Sequence, residues 1–293
     1  MPLITHRQGA LFSLLAALLF GAVTPLVKLL FGAVDPVFLG ALISLGSGLV
    51  LAVAVPSQWN PRPLFKRGNR LAFAGSVVTG GALAPVLLVW GIAQAPGSVA
   101  ALLLNLEAPF TVLIAWLFCR EKAGPHLLVG LGLVTVGGIL VSYGGPGGGG
   151  RLPAALALAG ACLCWAIDNN CIARLRGVDP AKFTIWKGLL AAAALFAWAA
   201  AEGTRGPSWP LATGAVLVGG VCSGLALLVF VMGIQRLGAG RAAAFFATAP
   251  FVGAAVSIMI LGDPVTLHLV AAAGLMAAGV AVLLSEKKTI QAN

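Results

Sequence analysis

Residues 105–122 read Asn-Leu-Glu-Ala-Pro-Phe-Thr-Val-Leu-Ile-Ala-Trp-Leu-Phe-Cys-Arg-Glu-Lys, an apolar helix of membrane length with a carboxylate and a proline near its middle. The carboxylate is Glu107, and a charge at that depth costs roughly 2.5–3.5 kcal/mol on membrane insertion. The proline is Pro109, which removes one backbone hydrogen bond and disturbs the preceding turn. A helix that keeps both residues is expected to face protein or a water-filled cavity rather than lipid.

The same pattern occurs a second time in the chain. Ala-Pro-Phe at 108–110 recurs at 249–251, an offset of 141 residues, and this offset also pairs Gln94 with Gln235, Gly97 with Gly238 and Gly138 with Gly279. Two copies of one unit, each with a helix interrupted at membrane depth, indicate the binding site of a transporter. We therefore expect Pro109 and Pro250 to act as hinges.

The composition indicates an all-α integral membrane protein. The 293 residues are 60% hydrophobic and 9% charged, whereas soluble domains carry about 25% charged residues. The apolar runs are too long for barrel strands. At about 20 residues per helix, the sequence predicts ten spans. They are 9–31, 37–55, 71–93, 98–118, 125–143, 153–173, 182–201, 211–232, 241–261 and 266–285.

A Gly-rich stretch at 144–150 divides the chain into two parts. We predict a first repeat with helices 1–5 at residues 1–145, a linker at 146–152, and a second repeat with helices 6–10 and a short tail at 153–293. Because five is an odd number, the second repeat enters the membrane upside down. The two repeats are then inverted, as in many secondary transporters.

The positive charges predict the orientation. Fourteen of the 18 Lys and Arg residues fall on the side that holds both termini, only Arg151 and Arg205 fall on the other side, and Lys28 and Lys187 lie within spans. Cytoplasmic loops carry the excess of positive charge. We therefore expect cytoplasmic N- and C-termini, and the net charge of +10 requires no nucleic-acid partner.

Glu107 is the first candidate for substrate binding. In a central cavity its carboxylate could hold a substrate ammonium or carry a proton. The alternative is a buried acid that pairs with a polar side chain for assembly. The residue 141 positions later is Thr248, which we also assign to the site, so any role of the charge differs between the repeats.

Polar residues in the sixth span supply further candidates. Asp168 and Asn169 follow Trp165, and three consecutive polar side chains at 168–170 cannot all avoid lipid unless the helix is surrounded or unwound there. Lys187 lies at a similar depth in the seventh span, so a salt bridge with Asp168 would relieve both charges. The alternative is that the Lys187 ammonium reaches the membrane interface.

Aromatic residues inside spans could line the cavity for a flat or apolar substrate, because Trp otherwise prefers the membrane interface. Trp90, Trp165, Phe245 and Phe246 are candidates of this kind, although ordinary helix packing is the alternative for each. The predicted substrate-binding set is Glu107, Trp90, Trp165, Asp168, Asn169, Phe245 and Thr248.

No motif for chemistry is present. The sequence has no P-loop, no His-Glu-x-x-His and no nucleophile with an adjacent base, so we predict no catalytic residue, no metal site and no cofactor. The alternative class is a polytopic membrane enzyme that acts on a lipid-linked substrate. It would require a cluster of acids or histidines at one membrane face.

The stretch around Glu107 resembles the fourth-span pattern of the drug/metabolite transporter superfamily, Leu-Glu-Pro-x-Phe-x-x-Leu-x-Ala-x-Leu-x-Leu-x-Glu followed by a Gly-rich span. Ala108 here stands between the acid and the proline, Glu121 matches the terminal Glu, and residues 130–138 match the Gly-rich span. Gly262-Asp263 stands where Gly-Glu is common. The resemblance covers nearly the whole chain as two EamA-type repeats.

Within that superfamily the chain most resembles the bacterial YddG-type exporters of aromatic and other amino acids. The resemblance implies a ten-helix exporter of the bacterial inner membrane that works by alternating access. It also implies a central cavity lined by the first, third, fourth, sixth, eighth and ninth spans. Its partners would be a small-molecule substrate and membrane lipid, and we expect a monomer.

Overall fold

A computed structural model of the chain describes residues 2–31, 34–55, 57, 59–119, 125–143 and 152–285. Glu121 and residues 146–151 of the predicted linker lie outside this part of the chain. Within it, all regular secondary structure is helical, which confirms the predicted fold class.

The helices in the described ranges form ten spans, close to the predicted positions. Eight of them are long and apolar enough to cross a membrane, and the fifth and tenth contain the shorter apolar segments Leu128–Val141 and Leu267–Val282. In chain order the helices are Pro2–Gly21 and Val23–Phe31 (first span); Pro36–Ala54 (second); Arg70–Ser76, Val77–Leu83 and Ala84–Gln94 (third); Gly97–Leu103, Leu104–Leu106 and Glu107–Cys119 (fourth); Pro125–Tyr143 (fifth); Leu152–Arg174 (sixth); Pro180–Ala201 (seventh); Trp209–Val218, Gly219–Leu225 and Ala226–Leu237 (eighth); Ala239–Phe246 and Ala249–Leu261 (ninth); and Leu267–Ser285 (tenth).

An Asp-Pro pair begins the second span and the seventh. The aspartate Oδ1 accepts hydrogen bonds from the amides two and three residues later, at 2.9 and 3.0 Å after Asp35 and at 2.9 and 3.2 Å after Asp179. The following proline occupies the first helical position, where its missing N–H costs nothing. These two carboxylates therefore act as helix caps.

The packing of the spans follows the internal repeat. The second span packs on the seventh, the fourth on the ninth and the fifth on the tenth. The first span packs on the eighth and, in the same way, the sixth packs on the third. Exchanging the two halves leaves the second–seventh, fourth–ninth and fifth–tenth contacts unchanged, and it converts the first–eighth contact into the sixth–third contact. This is the relation expected of two repeats with a pseudo-two-fold axis.

Glycines bring the second span into close contact with its neighbours. A Cβ placed on Gly188 of the seventh span would lie 2.8 Å from the Gly48 Cα, and one placed on Gly224 of the eighth would lie 2.7 Å from the Ser47 carbonyl oxygen. Small residues permit this approach of helix backbones. As a result, Ser44 and Ser47 of the second span reach the centre of the bundle.

Several spans are interrupted near their middle. The third and eighth contain π-helical segments at equivalent positions, Val77–Leu83 and Gly219–Leu225. The fourth span narrows to a 3₁₀ turn at Leu104–Leu106 and the ninth breaks between Phe246 and Ala249. Pro109 and Pro250 therefore follow interruptions, as their positions in the sequence predicted.

The first span has an interruption of the same kind that the sequence analysis did not anticipate. Its two helices meet at Ala22, and Pro25 is the third residue of the second one. Pro109 likewise is the third residue of Glu107–Cys119, and Pro250 is the second of Ala249–Leu261. The first, fourth and ninth spans therefore each contain a break with a proline just after it.

Candidate functional site

A central cavity of about 100 Å³ lies where the first, second, third, fourth, sixth, seventh, eighth and ninth spans meet. Concave sites with apolar walls and a few convergent polar groups are the usual form of small-molecule sites. The wall is lined by Phe20, Val23, Ile43, Ser44, Ser47, Gly80, Gly81, Pro85, Leu88, Glu107, Trp165, Asp168, Asn169, Lys187, Gly188, Ser223, Ala226, Leu227, Phe230 and Phe246.

A buried ion pair forms one side of the cavity. The Lys187 ammonium contacts Asp168 Oδ2, and the Ser76 hydroxyl donates to Asp168 Oδ1. The side chains of Lys187 and Asp168 are only 4% and 3% exposed, and the ammonium lies 5.5 Å from the centre of the Phe183 ring. Because each charge is compensated by the other and the carboxylate also accepts from a hydroxyl, the pair can persist at this depth.

The π-helical segment of the third span makes room for this carboxylate. A Cβ on Gly80 would collide with the Asp168 carboxylate, so glycine is needed at this position. Pro85 cannot donate to the carbonyl of Gly81 four residues earlier, and the Ser44 hydroxyl donates to that carbonyl instead, at 3.1 Å. The freed backbone group is thereby satisfied by a neighbouring span, as membrane burial requires.

Glu107 lines the same cavity from the start of the second helix of the fourth span. Its side chain is 7% exposed, and Oε1 accepts a hydrogen bond of 2.8 Å from Asn169 Nδ2. The same amide lies 3.2 Å from the Thr111 hydroxyl, which donates to the Glu107 carbonyl at 2.8 Å. The amide of Asn170 anchors the helix by donating to the Thr111 carbonyl at 3.1 Å.

The carboxylate of Glu107 forms no ion pair with any described residue. Among the described residues, the only Lys, Arg or His nitrogen within 4 Å of a side-chain carboxylate is that of Lys187 on Asp168. The donor to Glu107 is a neutral amide, and the helix N-terminus adds only a partial positive charge. The cavity therefore holds one acid that a positively charged ligand or a proton could neutralise.

Aromatic rings form the remaining wall. Phe20 packs edge-on against Trp165 with ring centres 5.4 Å apart, and it contacts Phe246 at 5.5 Å. Phe230 stacks on Phe246 at 4.5 Å. These rings come from the first, sixth, eighth and ninth spans, and together they give the cavity an aromatic, apolar face.

The structure brings together five residues that the sequence analysis selected. Glu107, Trp165, Asp168, Asn169 and Lys187 all line the cavity. They come from the fourth, sixth and seventh spans, so the polar part of the wall is built by helices of both repeats.

Three other selected residues are not among the lining residues. Trp90 is 40% exposed on the outside of the third span. The Thr248 hydroxyl donates to the Phe245 carbonyl at 3.0 Å, within the break of the ninth span. Phe246 lines the cavity instead of Phe245, because one residue rotates a side chain by about 100° around a helix.

Several lining residues carried no usable signal in the sequence. A serine such as Ser44 or Ser223 in an apolar span often bonds to its own helix, so its sequence position does not indicate a cavity. Phe20 looks like any apolar residue of a membrane helix. The Gly80-Gly81 and Gly219-Gly220 pairs do mark places where another span comes close, because a Cβ on any of these glycines would lie within 2.8 Å of a residue in that span.

Comparisons with known proteins identify the fold. A family model described as the EamA-like transporter family matches residues 7–143 and again residues 152–285. No curated protein matches the chain, but 28 chains of solved structures do. One of them, a crystal structure of a protein, is 19% identical, with a TM-score of 0.71 over 95% of this chain and 98% of that chain. At this identity the likeness shows the fold alone.

Proposed function

Since the chain belongs to the EamA-like transporter family, and so to the drug/metabolite transporter superfamily, we propose that it exports amino acids, aromatic ones among them, across the bacterial inner membrane, in the manner of the YddG-type exporters. Members of this family are transporters rather than enzymes, and the chain is a multi-pass membrane protein. The amino-acid substrate, the direction of transport and the bacterial inner membrane are parts of the proposal.

The observation that carries the proposal is the carboxylate of Glu107 beside an aromatic wall. A substrate ammonium would supply the positive charge that Glu107 lacks. An aromatic or apolar substrate side chain would lie against Phe20, Trp165 and Phe246, where flat rings pack well. The Ser47 and Ser223 hydroxyls line the same cavity, where they could donate to a substrate carboxylate.

Alternating access completes the proposal. The two inverted repeats, at 1–145 and 153–293, would rock about the central cavity and open it to one side at a time. Pro109 and Pro250 follow the interruptions of the fourth and ninth spans, which makes these spans the natural bending points. Both termini would lie in the cytoplasm, and a monomer contains the complete cavity.

Flux in sealed proteoliposomes tests this function. The purified protein is reconstituted and challenged with radiolabelled amino acids of different side chains, with and without a proton gradient. We expect movement of aromatic and other amino acids across the vesicle membrane, with no chemical change. Formation of a new product from a lipid-linked substrate in detergent would instead support the membrane-enzyme alternative.

Glu107→Gln tests the role of the acid. If the carboxylate holds the substrate ammonium, this variant should export amino acids poorly but still move analogues that lack the amine. If only the pH dependence of flux disappears, Glu107 carries a proton instead. Glu202→Gln is a matched control, because Glu202 is an exposed acid at the end of the seventh span and its replacement should leave flux unchanged.

A further inference from the structure

A second and much smaller cavity lies beside the central one. It has about 10 Å³ of space, which is close to the volume that one water molecule needs. Glu107, Phe20 and Phe246 line both cavities, so the two are separated by little more than these side chains. The small cavity lies where the first, fourth and ninth spans are interrupted.

The backbone around this cavity is unusual for the membrane interior. Gly21 and Phe246 line it, and each is the last residue of a half-helix, where the helix dipole is negative. Pro25 and Pro250 lack the N–H groups that would otherwise bond to the carbonyls of Gly21 and Phe246. Carbonyls freed in this way require another partner at membrane depth.

Two oxygen-bearing side chains line the same cavity. Glu107 is 7% exposed and Thr24 is 2% exposed. Thr24 makes no hydrogen bond with any residue in the described part of the chain, whereas the hydroxyls of Thr79, Thr111, Thr184 and Thr213 each donate to the carbonyl four residues earlier. Among the described residues, the Thr24 hydroxyl therefore has no hydrogen-bond partner and the Glu107 carboxylate in the same cavity has no ion-pair partner.

We propose that this cavity binds a small monovalent cation of the size of Na⁺. The ligands would be the Glu107 carboxylate, the Thr24 hydroxyl and backbone carbonyl oxygens at the half-helix ends. Carboxylate, hydroxyl and carbonyl oxygens are the ligands that hard cations prefer. The cation balances the charge of Glu107, whereas Asp168 is already balanced by Lys187. The available space accepts a dehydrated ion but excludes the ammonium group of a metabolite with its substituents.

The site has a consequence for the central cavity. Because Glu107 lines both spaces, a cation in the small cavity neutralises the carboxylate that a substrate ammonium would use. Sodium and an amine substrate should therefore compete for Glu107. Sodium binding itself does not depend on the proposed export function, since it is measured without any substrate.

Sodium binding to the purified full-length protein in detergent is the direct test. Binding of ²²Na⁺ is measured, and the thermal unfolding midpoint is followed as NaCl replaces choline chloride at constant ionic strength. We expect about one bound ion per chain and a saturable rise of the midpoint with NaCl, because a ligand that binds only the native state stabilises it. Equal midpoints in both salts, with no bound ²²Na⁺, would overturn the proposal.

Variants locate the site. Thr24→Val keeps the shape but removes the hydroxyl, and it should lower the sodium affinity about tenfold or more, as expected for the loss of a group that contacts a charge. Glu107→Gln should abolish ²²Na⁺ binding. Thr184→Val is the matched control, because Thr184 is equally buried but bonds to its own helix, and it should bind sodium like the unmodified protein.

The variants also distinguish an ion in the small cavity from an ion bound elsewhere on the protein. Sodium binding that survives in Glu107→Gln would place the ion elsewhere and refute the assignment. If Thr24→Val does not fold, the Glu107→Gln comparison still decides the location. If the protein binds ²²Na⁺ but moves no amino acid, the sodium site is supported and the proposed export function fails. If it moves amino acids but binds no ²²Na⁺, the export function is supported and the sodium site fails.

Discussion

Removing one member of the Asp168–Lys187 pair should destabilise the protein more than removing both. The two side chains are 3% and 4% exposed, so Asp168→Asn leaves a buried ammonium without its anion. Lys187→Met leaves a buried carboxylate whose one remaining hydrogen-bond donor among the described residues is the Ser76 hydroxyl. Breaking a buried pair from one side costs roughly 3–5 kcal/mol, whereas replacing both members with neutral groups is often close to neutral.

The double variant is the informative one. Asp168→Asn with Lys187→Met removes both charges of the pair, keeps an acceptor for the Ser76 hydroxyl and leaves the Gly80 contact unchanged in shape. We expect it to unfold at a higher temperature than either single variant. At about 1.4 kcal/mol per tenfold change in the folding equilibrium, each single variant should increase the unfolded fraction roughly a hundredfold or more.

Unfolding in detergent, followed by tryptophan fluorescence, measures all three variants against the unmodified protein. Glu202→Gln, which removes an exposed acid, serves as the control and should change the free energy of unfolding by less than about 0.5 kcal/mol. The pair is not energetically coupled if both single variants lie within that same range, or if the cost of the double variant equals the sum of the two single costs.

Three further predictions concern the close helix contacts, the prolines and the orientation. Gly80→Ala should lower stability and export together, because the new Cβ meets the Asp168 carboxylate, whereas Gly132→Ala has nothing within 4 Å and should be tolerated; equal melting temperatures of the two variants would contradict this. Pro109→Ala and Pro250→Ala should slow flux in proteoliposomes more than they lower the melting temperature, and unchanged flux in both would reduce the prolines to packing residues. A C-terminal fusion to a reporter that is active only in the periplasm should stay silent, and an active fusion would reverse the proposed orientation.

The positions of the spans could be predicted because they depend on local properties. Hydropathy and turn residues fix where a membrane helix begins and ends. The differences have local causes as well. The seventh span was predicted at 182–201 but begins at Pro180, because Asp179 caps the helix there. The eighth was predicted at 211–232 but reaches Leu237, because the helix is ended only by Gly238, which has a φ of 83°.

The cavity could be predicted only in part. Glu107 and Asp168 were detectable because a charge in an apolar span is costly wherever it points. The rotation of each helix about its axis depends on packing between spans, so the lining role of Phe20 and Ser44 could not be read from the sequence. Pro25 was overlooked because its counterpart 141 positions later is Ala166. A comparison of the two repeats detects only residues that are the same in both.

The repeat shapes the backbone of this protein, but it does not extend to the charges. The π-helical segments of the third and eighth spans and the breaks of the fourth and ninth occur at matching positions. The three charged residues of the cavity, Glu107, Asp168 and Lys187, have uncharged counterparts at Thr248, Val27 and Gly46. In the proposed mechanism, a symmetric backbone gives two conformations of similar energy, one open to each side. The charges belong to fixed helices, so a ligand meets the same Glu107 in both conformations. A ligand that neutralises this carboxylate therefore shifts the balance between the two conformations only as far as its other contacts differ between them, because a ligand shifts an equilibrium only by its difference in affinity for the two states.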